Sequence, residues 1–366
     1  MLESRACAPG ELPAVIELCT RVFRPDGGHM GREYPLLFNE ANLHRLRVVW
    51  EDGKPVSHAG YVVRDAWILG ANIRVAEVGA VCTDSSARKK GLATAIMRDL
   101  EACATAEGCH LMLVSGGRGL YRRMGCHPAG RYRSFKAPAG TIRPARFQVR
   151  QATIRDARSL VDLYQAEPVR FERSVDDWVQ ILKCGMLMNG PCETRLALTD
   201  GKPVAYFGIR RGHGAAQVME YGGSRAAFWH SLAAALEDNE PVEVIEMPAD
   251  RDLAFLAPPG LECKEIGFPG TVKLLRPEQF FDCVQAILYE RVGEHVASNM
   301  GLVATPEMVS FEWDGQIADI PTTDIAPILF GASPGEPAVS LPDPPLGDIL
   351  AQFLPIPLPW YGFSYV

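Results

Sequence analysis

The most informative segment of the chain is Ala76-Glu-Val-Gly-Ala-Val-Cys-Thr-Asp-Ser-Ser-Ala-Arg-Lys-Lys-Gly-Leu-Ala93. Its apolar run, Val78 to Cys82, predicts a buried strand, and the periodic pattern from Leu92 to Ala106 predicts a helix. A strand that enters a helix through a glycine-containing turn presents unpaired backbone N–H groups and the positive end of a helix dipole at one point. Gly91 lets the main chain approach an anion closely. The segment therefore predicts a phosphate-binding site.

A second motif follows the predicted helix. An apolar strand pattern, His110 to Ser115, leads into Gly-Leu-Tyr-Arg-Arg-Met-Gly at residues 119–125. Two other phosphate-binding patterns are absent from the sequence, because it contains no Gly-Lys-Ser/Thr and its glycines do not have the dinucleotide spacing. The basic turn therefore predicts anion binding of a kind different from a nucleotide P-loop.

These two motifs resemble a known pair. The Arg-x-x-Gly-x-Ala pattern at residues 88–93 resembles motif A of the GNAT acyltransferases, which holds the pyrophosphate of acetyl-CoA. The second motif is similar to the family's Tyr-x-x-x-Gly-Phe signature, with Tyr121 and Gly125 in register and Cys126 at the position of the usual aromatic residue. Because both motifs occur in the family's order and separation, the resemblance implies a GNAT fold with acetyl-CoA as co-substrate.

The composition limits the class of protein. A chain of 366 residues is too long for one core and predicts two or three domains. The net charge of -7, without a basic run, argues against a nucleic-acid partner. The ten cysteines are scattered without a Cys-x-x-Cys pair, so we expect a reducing compartment and no metal site. No signal region and no apolar stretch long enough for a bilayer are found, so we expect a cytoplasmic protein with no membrane partner.

A pentapeptide recurs in a matching context. Asp-Gly-Lys-Pro-Val occupies residues 52–56 and 200–204, between strand-like runs in both places, and Asp-Gly is a hairpin turn signal. The second region has Gly-Gly-Ser-Arg at residues 222–225 where the first has the basic turn, and no Tyr-x-x-x-Gly follows it. We therefore predict two related units, of which the second is degenerate and does not bind the cofactor.

The character of the chain changes from Pro277. Residues 278–296 predict a long amphipathic helix, residues 308–320 predict a hairpin, and the chain closes on an apolar, aromatic tail. This layout resembles the enhanced-intracellular-survival (Eis-type) acetyltransferases. The resemblance implies an α+β fold class with mixed α/β sheets: two tandem GNAT folds, the second degenerate, and a C-terminal sterol-carrier-protein-like α+β domain. The expected domains are residues 1–147, 148–276 and 277–366.

The resemblance also assigns residues to acetyl-CoA. The backbone of residues 81–83 is expected to pair with pantetheine like an added strand. The amides and charges of residues 88–93 are expected to take the pyrophosphate. The expected cofactor-binding residues are Val81, Cys82, Thr83, Arg88, Lys89, Lys90, Gly91, Leu92 and Ala93.

Acyl transfer from a thioester to an amine needs a proton donor for the sulfur and a proton acceptor for the amine. Tyr121 is the expected acid, since the pKa of a phenol, about 10, lies close to that of a thiol. In the Eis-type family the chain's own end enters the first domain's active site. The Val366 α-carboxylate is therefore expected as base or amine-positioning group. Glu77, where histone-acetyltransferase members of the superfamily carry a base in the same register, is the alternative, and His127 is a third.

The acceptor surface is expected in the loop at residues 27–38. Its His29, Met30, Tyr34 and Phe38 offer apolar and aromatic surface, although the same residues suit ordinary helix packing. The expected function is an N-acetyltransferase in which a small-molecule or protein amine attacks acetyl-CoA directly in a ternary complex. The alternatives are an acyltransferase that uses a different acyl-CoA and a non-catalytic acyl-CoA-binding or regulatory protein. Assembly into a homo-oligomer is left open.

Overall fold

The computed structural model describes residues 3–142, 147–212, 214–237 and 240–366. These residues divide into two compact units. The first unit comprises Met1–Gly130, Phe268–Ile356 and Val366, and the second comprises Arg131–Gly267 and Pro357–Tyr365.

Strands and helices are both numerous, and they are numbered in chain order. The strands are β1 (Ser4–Ala6), β2 (Leu46–Glu51), β3 (Lys54–Ile68), β4 (Ala71–Thr83), β5 (Leu111–Ser115), β6 (Arg131–Ala137), β7 (Gln148–Gln151), β8 (Val169–Phe171), β9 (Met186–Leu187), β10 (Gly190–Thr199), β11 (Lys202–Gly212), β12 (Ala215–Gly223), β13 (Val242–Ile245), β14 (Glu262–Gly267), β15 (Gly270–Leu274), β16 (Met300–Ala304), β17 (Met308–Trp313) and β18 (Gln316–Pro321).

The α-helices are mostly short. They are α1 (Leu12–Phe23), α2 (Met30–Glu33), α3 (Leu92–Ala106), α4 (Gly119–Arg123), α5 (Ala157–Gln165), α6 (Val175–Cys184), α7 (Arg225–Leu232), α8 (Asp252–Leu256), α9 (Pro277–Val292), α10 (Glu294–Ala297), α11 (Ile325–Phe330) and α12 (Leu346–Phe353).

The main sheet of the first unit runs in the order β1-β2-β3-β4-β5-β15. Its neighbours are antiparallel except β4 and β5, which are parallel and joined through α3. The predicted helix at residues 92–106 is confirmed as α3, and its Ile96, Met97 and Leu100 lie in the core beneath the sheet. Parallel neighbours with a crossover helix place the β4–α3 turn at one end of the sheet.

The later part of the first unit partly follows the sequence pattern. The predicted hairpin is confirmed, because β17 and β18 pair around Asp314-Gly315. The predicted helix at residues 278–296 is instead two helices, α9 and α10. Gly293 separates them with φ of 82°, a left-handed backbone conformation that an α-helix does not accommodate. The apolar spacing alone could not reveal this break.

The second unit has its own mixed sheet, in the order β14-β6-β13-β12-β11-β10-β7. The recurring Asp-Gly turns are confirmed in both units. Asp52 and Gly53 have φ of 50° and 74°, and Asp200 and Gly201 have φ of 49° and 75°. Positive φ at both central residues is the type I′ geometry that matches the twist of a hairpin.

The compact units are not divided at the expected domain boundaries. Strand β6, which the sequence places before residue 147, pairs in the sheet of the second unit, and β15, placed before residue 277, pairs with β5 in the first. The sequence could not reveal these pairings, because strands that are distant in sequence leave no local pattern when they pair. The three expected domains, as related or separate folds, stay a prediction.

A buried ion pair in the second unit binds the C-terminal residues 357–365, which belong to this unit. Arg173 donates to both carboxylate oxygens of Glu220 at 2.6 and 2.8 Å, and both side chains are almost fully buried. The guanidinium also donates to Ser364 Oγ at 2.9 Å. The Phe363 amide donates to the same carboxylate at 3.0 Å. Residues 357–365 are therefore held within this unit by satisfied polar groups.

We expect Ser364→Ala to lower the free energy of unfolding by about 1.5–3 kcal/mol, the usual contribution of a hydrogen bond to a charged group. Urea denaturation measures this difference. Ser340→Ala is the matched control, because Ser340 is exposed and the same atom is removed there. An equal effect of the two substitutions would contradict the role given to the Arg173–Ser364 hydrogen bond.

Candidate active site

Parallel strands β4 and β5 separate at one end of the first unit's sheet. They pair from Val75–Val78 to Leu111–Val114, and Ser115 Oγ then donates to the Val78 carbonyl at 3.2 Å. β4 continues to Thr83 after β5 has ended. The β5-facing edge of residues 79–83 thus has no strand partner among the described residues. An unpaired edge of this kind can accept an extended ligand as an added strand.

A β-bulge lies in the same segment of β4, in its pairing with β3 on the opposite side. His58 pairs with Cys82 and Gly60 with Gly79, so the register shifts by one residue and Ala80 takes a left-handed φ of 51°. The buried His58 donates from Nδ1 to the Ala80 carbonyl at 2.9 Å. Burial lowers the pKa of His58 to about 4, so its ring is neutral at physiological pH. A bulge changes the direction in which the groups of a strand point. Here the hydrogen bond from the buried His58 ring holds the bulge in place.

The β4–α3 turn has the predicted form. Gly91 precedes α3 with φ of 77°, and Lys89 also has a left-handed φ of 65°. Arg88, Lys89 and Lys90 are exposed, and Lys90 Nζ lies 2.9 Å from a Glu51 carboxylate oxygen. The first amides of a fifteen-residue helix and three basic side chains therefore meet at one turn.

A cavity of 430 Å³ lies between the β4 edge and this turn. It brings together five residues that the sequence predicts as cofactor contacts, namely Val81, Cys82, Thr83, Arg88 and Ala93. Of the other predicted contacts, Leu92 is buried in the core, and Lys89, Lys90 and Gly91 are exposed on the turn.

Four lining residues were not predicted. The structure adds Val22, Phe23, Arg118 and Leu120 to this cavity. Leu120 belongs to the second motif and Arg118 directly precedes it, so that motif could have pointed to both. Val22 and Phe23 end α1 and carry only an apolar helix pattern, which does not distinguish a cavity wall from a core.

A larger cavity of 900 Å³ lies along α3 and α4 and shares Leu120 with the first. Arg98, Arg123 and Lys273 give it a basic character, although Lys273 is paired with Glu101. Its lining is Thr94, Arg98, Glu101, Ala102, Thr105, Ala106, Leu120, Arg123, Met124 and Lys273.

Tyr121 lies in α4 and is 3% exposed. It belongs to the apolar core cluster of this unit, together with Val114 and Cys126. Its carbonyl accepts from the amides of Met124 and Cys126 at 3.0 and 2.9 Å, which closes the turn after α4. Cys126, at the position of the usual aromatic residue, is fully buried, and burial raises the pKa of its thiol to about 12.

The main-chain end of Val366 lies against β4. A Cβ built on Gly79 would come within 2.2 Å of both the carbonyl carbon and the carbonyl oxygen of Val366, so only glycine fits there. Val366 is 4% exposed. The residue is therefore packed at the point where β4 loses its β5 partner.

Glu77 precedes Gly79 by two residues and shares its face of β4. It is fully buried, with a carboxylate oxygen 2.8 Å from Arg64 Nε. The Arg64 guanidinium therefore already pairs with this carboxylate. His127 forms a main-chain bridge to Val272, and burial lowers the pKa of its side chain.

The predicted acceptor residues divide into two groups. His29 is exposed, and its ring accepts from the Arg32 amide at 3.3 Å, so it caps the N-terminus of α2. Met30, Tyr34 and Phe38 are buried, and the Phe38 ring lies 5.7 Å from that of His58. Three of the four thus pack in the interior and His29 caps a helix, and a role in acceptor binding stays a prediction.

Residues 3–129 match the family model described as an acetyltransferase (GNAT) domain. This part of the chain, about a third of it, is similar to a GNAT acetyltransferase domain, and the predicted enzyme class is confirmed. Enzymes of this class use acyl-CoA and act on amine acceptors. A search of curated protein sequences gives no match to the chain.

Solved structures resemble the whole chain. A GCN5-related N-acetyltransferase from Kribbella flavida has a TM-score of 0.64 and 16% identity, covering 98% of this chain and 99% of that one. One from Anabaena variabilis has a TM-score of 0.63 and 12% identity, and Eis1 from Mycobacterium abscessus has 0.56 and 14%, each covering 90% of both chains. At these identities the likeness shows the fold, and the predicted mixed α/β GNAT-like fold is confirmed.

In the described residues, no helix combines the length and the apolar character that crossing a bilayer requires.

Proposed function

We propose that this protein is an N-acetyltransferase that transfers acetyl from acetyl-CoA to an amine by direct attack in a ternary complex. The observation that carries the proposal is the 430 Å³ cavity, which joins an unpaired β4 edge to a basic turn at a helix N-terminus. A thioester on an extended pantetheine arm with a pyrophosphate fits such a pair of features, because one end needs backbone partners and the other needs an anion site.

Acetyl-CoA would lie along this surface in three parts. The pantetheine amides would pair with the main chain of residues 81–83. The pyrophosphate would accept from the amides at residues 88–93, with the exposed basic side chains nearby. The nucleotide end would enter the 900 Å³ cavity, where Arg98 and Arg123 supply positive charge.

The proposed reaction forms a bond from the amine nitrogen to the acetyl carbonyl carbon and breaks the carbon–sulfur bond. The amine attacks in its neutral form, and its nitrogen, cationic after the attack, gives one proton to a carboxylate, which passes it to solvent. Tyr121 donates its phenolic proton to the departing thiolate. The phenol is then restored by proton exchange with solvent. A phenol suits this task because its pKa is close to that of the thiol it protonates.

For the carboxylate we favour the main-chain end of Val366 over Glu77. Val366 packs on Gly79 beside the unpaired edge of β4, whereas Glu77 is already held by the Arg64 guanidinium. A carboxylate removed from water also becomes a stronger base, and it favours a cationic partner such as an amine.

The second unit, we propose, has lost cofactor binding. Its β12 and β13 are parallel, like β4 and β5, and β12 leads into α7. At this turn the Gly223 amide donates to the Glu167 carboxylate at 3.1 Å, and Arg225 donates to the same carboxylate at 2.8 Å. An internal carboxylate thus satisfies the donors that a pyrophosphate would need.

In the second unit, residues 357–365 occupy the place beside β12 that corresponds to the cofactor cavity beside β4. Beyond the β12–β13 pairing, the Met219 carbonyl accepts from Trp360 Nε1 at 2.8 Å. The Phe363 ring leaves no room for a Cβ at Gly208. These contacts support a single cofactor site per chain, in the first unit.

The proposed function is tested by incubating the full chain with acetyl-CoA and a panel of amines: polyamines, aminoglycosides and lysine peptides. Free CoA and acetylated amine should appear in equal amounts. Both are followed by chromatography with mass detection, because the exposed Cys263 would react with thiol reagents. Acetyl-CoA binding without any product would instead support the non-catalytic alternative, and turnover only with a longer acyl-CoA would change the donor.

A further inference from the structure

Behind the bulge of β4, three side chains from three different elements meet in the core. Cys19 comes from α1, His58 from β3 and Cys82 from β4. Cys19 Sγ lies 3.4 Å from His58 Nδ1 and 3.8 Å from Cys82 Sγ, and the three donor atoms all lie within 4.8 Å of one another. Cys19 and His58 are fully buried, and Cys82 is 4% exposed.

The two separations from Cys19 Sγ, 3.4 and 3.8 Å, are those of a zinc coordination shell. Zinc binds thiolate sulfur at about 2.3 Å and imidazole nitrogen at about 2.0–2.1 Å, so tetrahedral angles put two sulfurs about 3.8 Å apart and sulfur and nitrogen about 3.5 Å apart. The Ala80 carbonyl oxygen, 2.9 Å from His58 Nδ1, is available as a fourth donor. Little movement is therefore needed to enclose a metal ion.

We propose that Cys19, His58 and Cys82 form a binding site for a thiophilic divalent cation, Zn²⁺, and that its occupation weakens acyl-CoA binding; the second half rests on the proposed function. Binding releases the two thiol protons to solvent. The imidazole stays neutral, with its proton moved from Nδ1 to Nε2. Two thiolates then balance the charge of the cation, so the buried centre is neutral overall.

The surroundings favour binding in two respects. The His58 Nε2 atom is buried and has no hydrogen-bond partner among the described residues, so no contact at Nε2 opposes the transfer of the ring proton to that atom. Cys82 lines the 430 Å³ cavity, which gives a cation a route to the cluster from solvent.

The link to the active site runs through the bulge. In the metal-free protein, the Ala80 carbonyl accepts from His58 Nδ1. Coordination at Nδ1 removes this hydrogen bond, so the Ala80 carbonyl at the bulge loses the contact that holds it, one residue before Val81. The edge expected to pair with pantetheine is thereby displaced.

The test uses the full chain freed of metal by a chelator and then dialysed against Zn²⁺. We expect one tightly bound zinc per chain by elemental analysis, and loss of this zinc in Cys19→Ser. Cys263→Ser is the matched control, since Cys263 is an exposed thiol outside the cluster, and it should keep the zinc. Co²⁺ added to the wild-type protein should give sulfur-to-cobalt charge-transfer absorption, which decides the matter even if Cys19→Ser does not fold.

Coupling is measured separately from activity. Zinc should raise the acetyl-CoA dissociation constant about tenfold, and acetyl-CoA should weaken zinc binding by the same factor, because linkage is reciprocal. Absence of the cobalt absorption, or equal zinc in wild type and Cys19→Ser, would overturn the site. Zinc bound without any change in acetyl-CoA affinity would overturn the regulatory half. In neither case is the proposed acetyltransferase function affected.

Discussion

Tyr121→Phe should lower turnover about 10²-fold while acetyl-CoA affinity stays close to that of the wild type, because the substitution removes one proton donor and almost no volume. The ring of Tyr121 is buried in the core of the first unit, so phenylalanine preserves its packing. Steady-state rates with a fixed amine, together with calorimetric titration of acetyl-CoA, separate the two effects.

Tyr61→Phe is the matched control for this experiment. Tyr61 lies in the same core cluster, and its hydroxyl donates to the Glu107 carboxylate at 2.6 Å. It is therefore expected to change stability more than turnover. A folded Tyr121→Phe protein with a normal rate would reduce Tyr121 to a packing residue.

Gly79→Ala should lower turnover by about 10²-fold or more and largely spare acetyl-CoA binding. The added Cβ would lie 2.2 Å from the Val366 carbonyl carbon and oxygen, so the end of the chain must move. A displacement of about 1 Å in a reacting group can cost 10²-fold in rate. A few residues added after Val366 should have the same effect by a different route.

Gly117→Ala serves as the control for Gly79→Ala. An added Cβ at Gly117 meets no atom within 4 Å, so the same chemical change there displaces nothing. If Gly79→Ala and the extended protein both acetylate amines at the normal rate, Val366 is not the base. Glu77 would then be preferred, and Glu77→Gln would be the next variant to measure.

The spacing of apolar residues and the turn residues predicted those parts of the fold that depend on contacts between neighbours in the sequence. The bounds of α3 and the two Asp-Gly hairpins were confirmed, because helical spacing and turn chemistry are properties of adjacent residues. The form of the β4–α3 turn was predicted for the same reason, since its basic residues and its glycine lie within one short segment, and phosphate binding there stays a prediction.

Long-range placement was not predictable in the same way. The sequence shows that the aromatic tail is apolar, but its partners Arg173 and Glu220 lie far away in the chain. Spacing rules likewise miss the Cys–His–Cys cluster, because Cys19 is 39 residues from His58 and 63 from Cys82. Only the folded sheet and α1 bring these groups together.

The most direct test of a single acyl-CoA site in the first unit is calorimetric titration of acetyl-CoA into the full chain. We expect one site per chain in the wild type and no measurable binding in Gly91→Glu, since a carboxylate would face the expected pyrophosphate. Gly91→Ala introduces the same backbone strain at φ of 77° without the charge, so it should retain binding at reduced affinity. Two sites per chain, or unchanged binding in Gly91→Glu, would contradict the assignment.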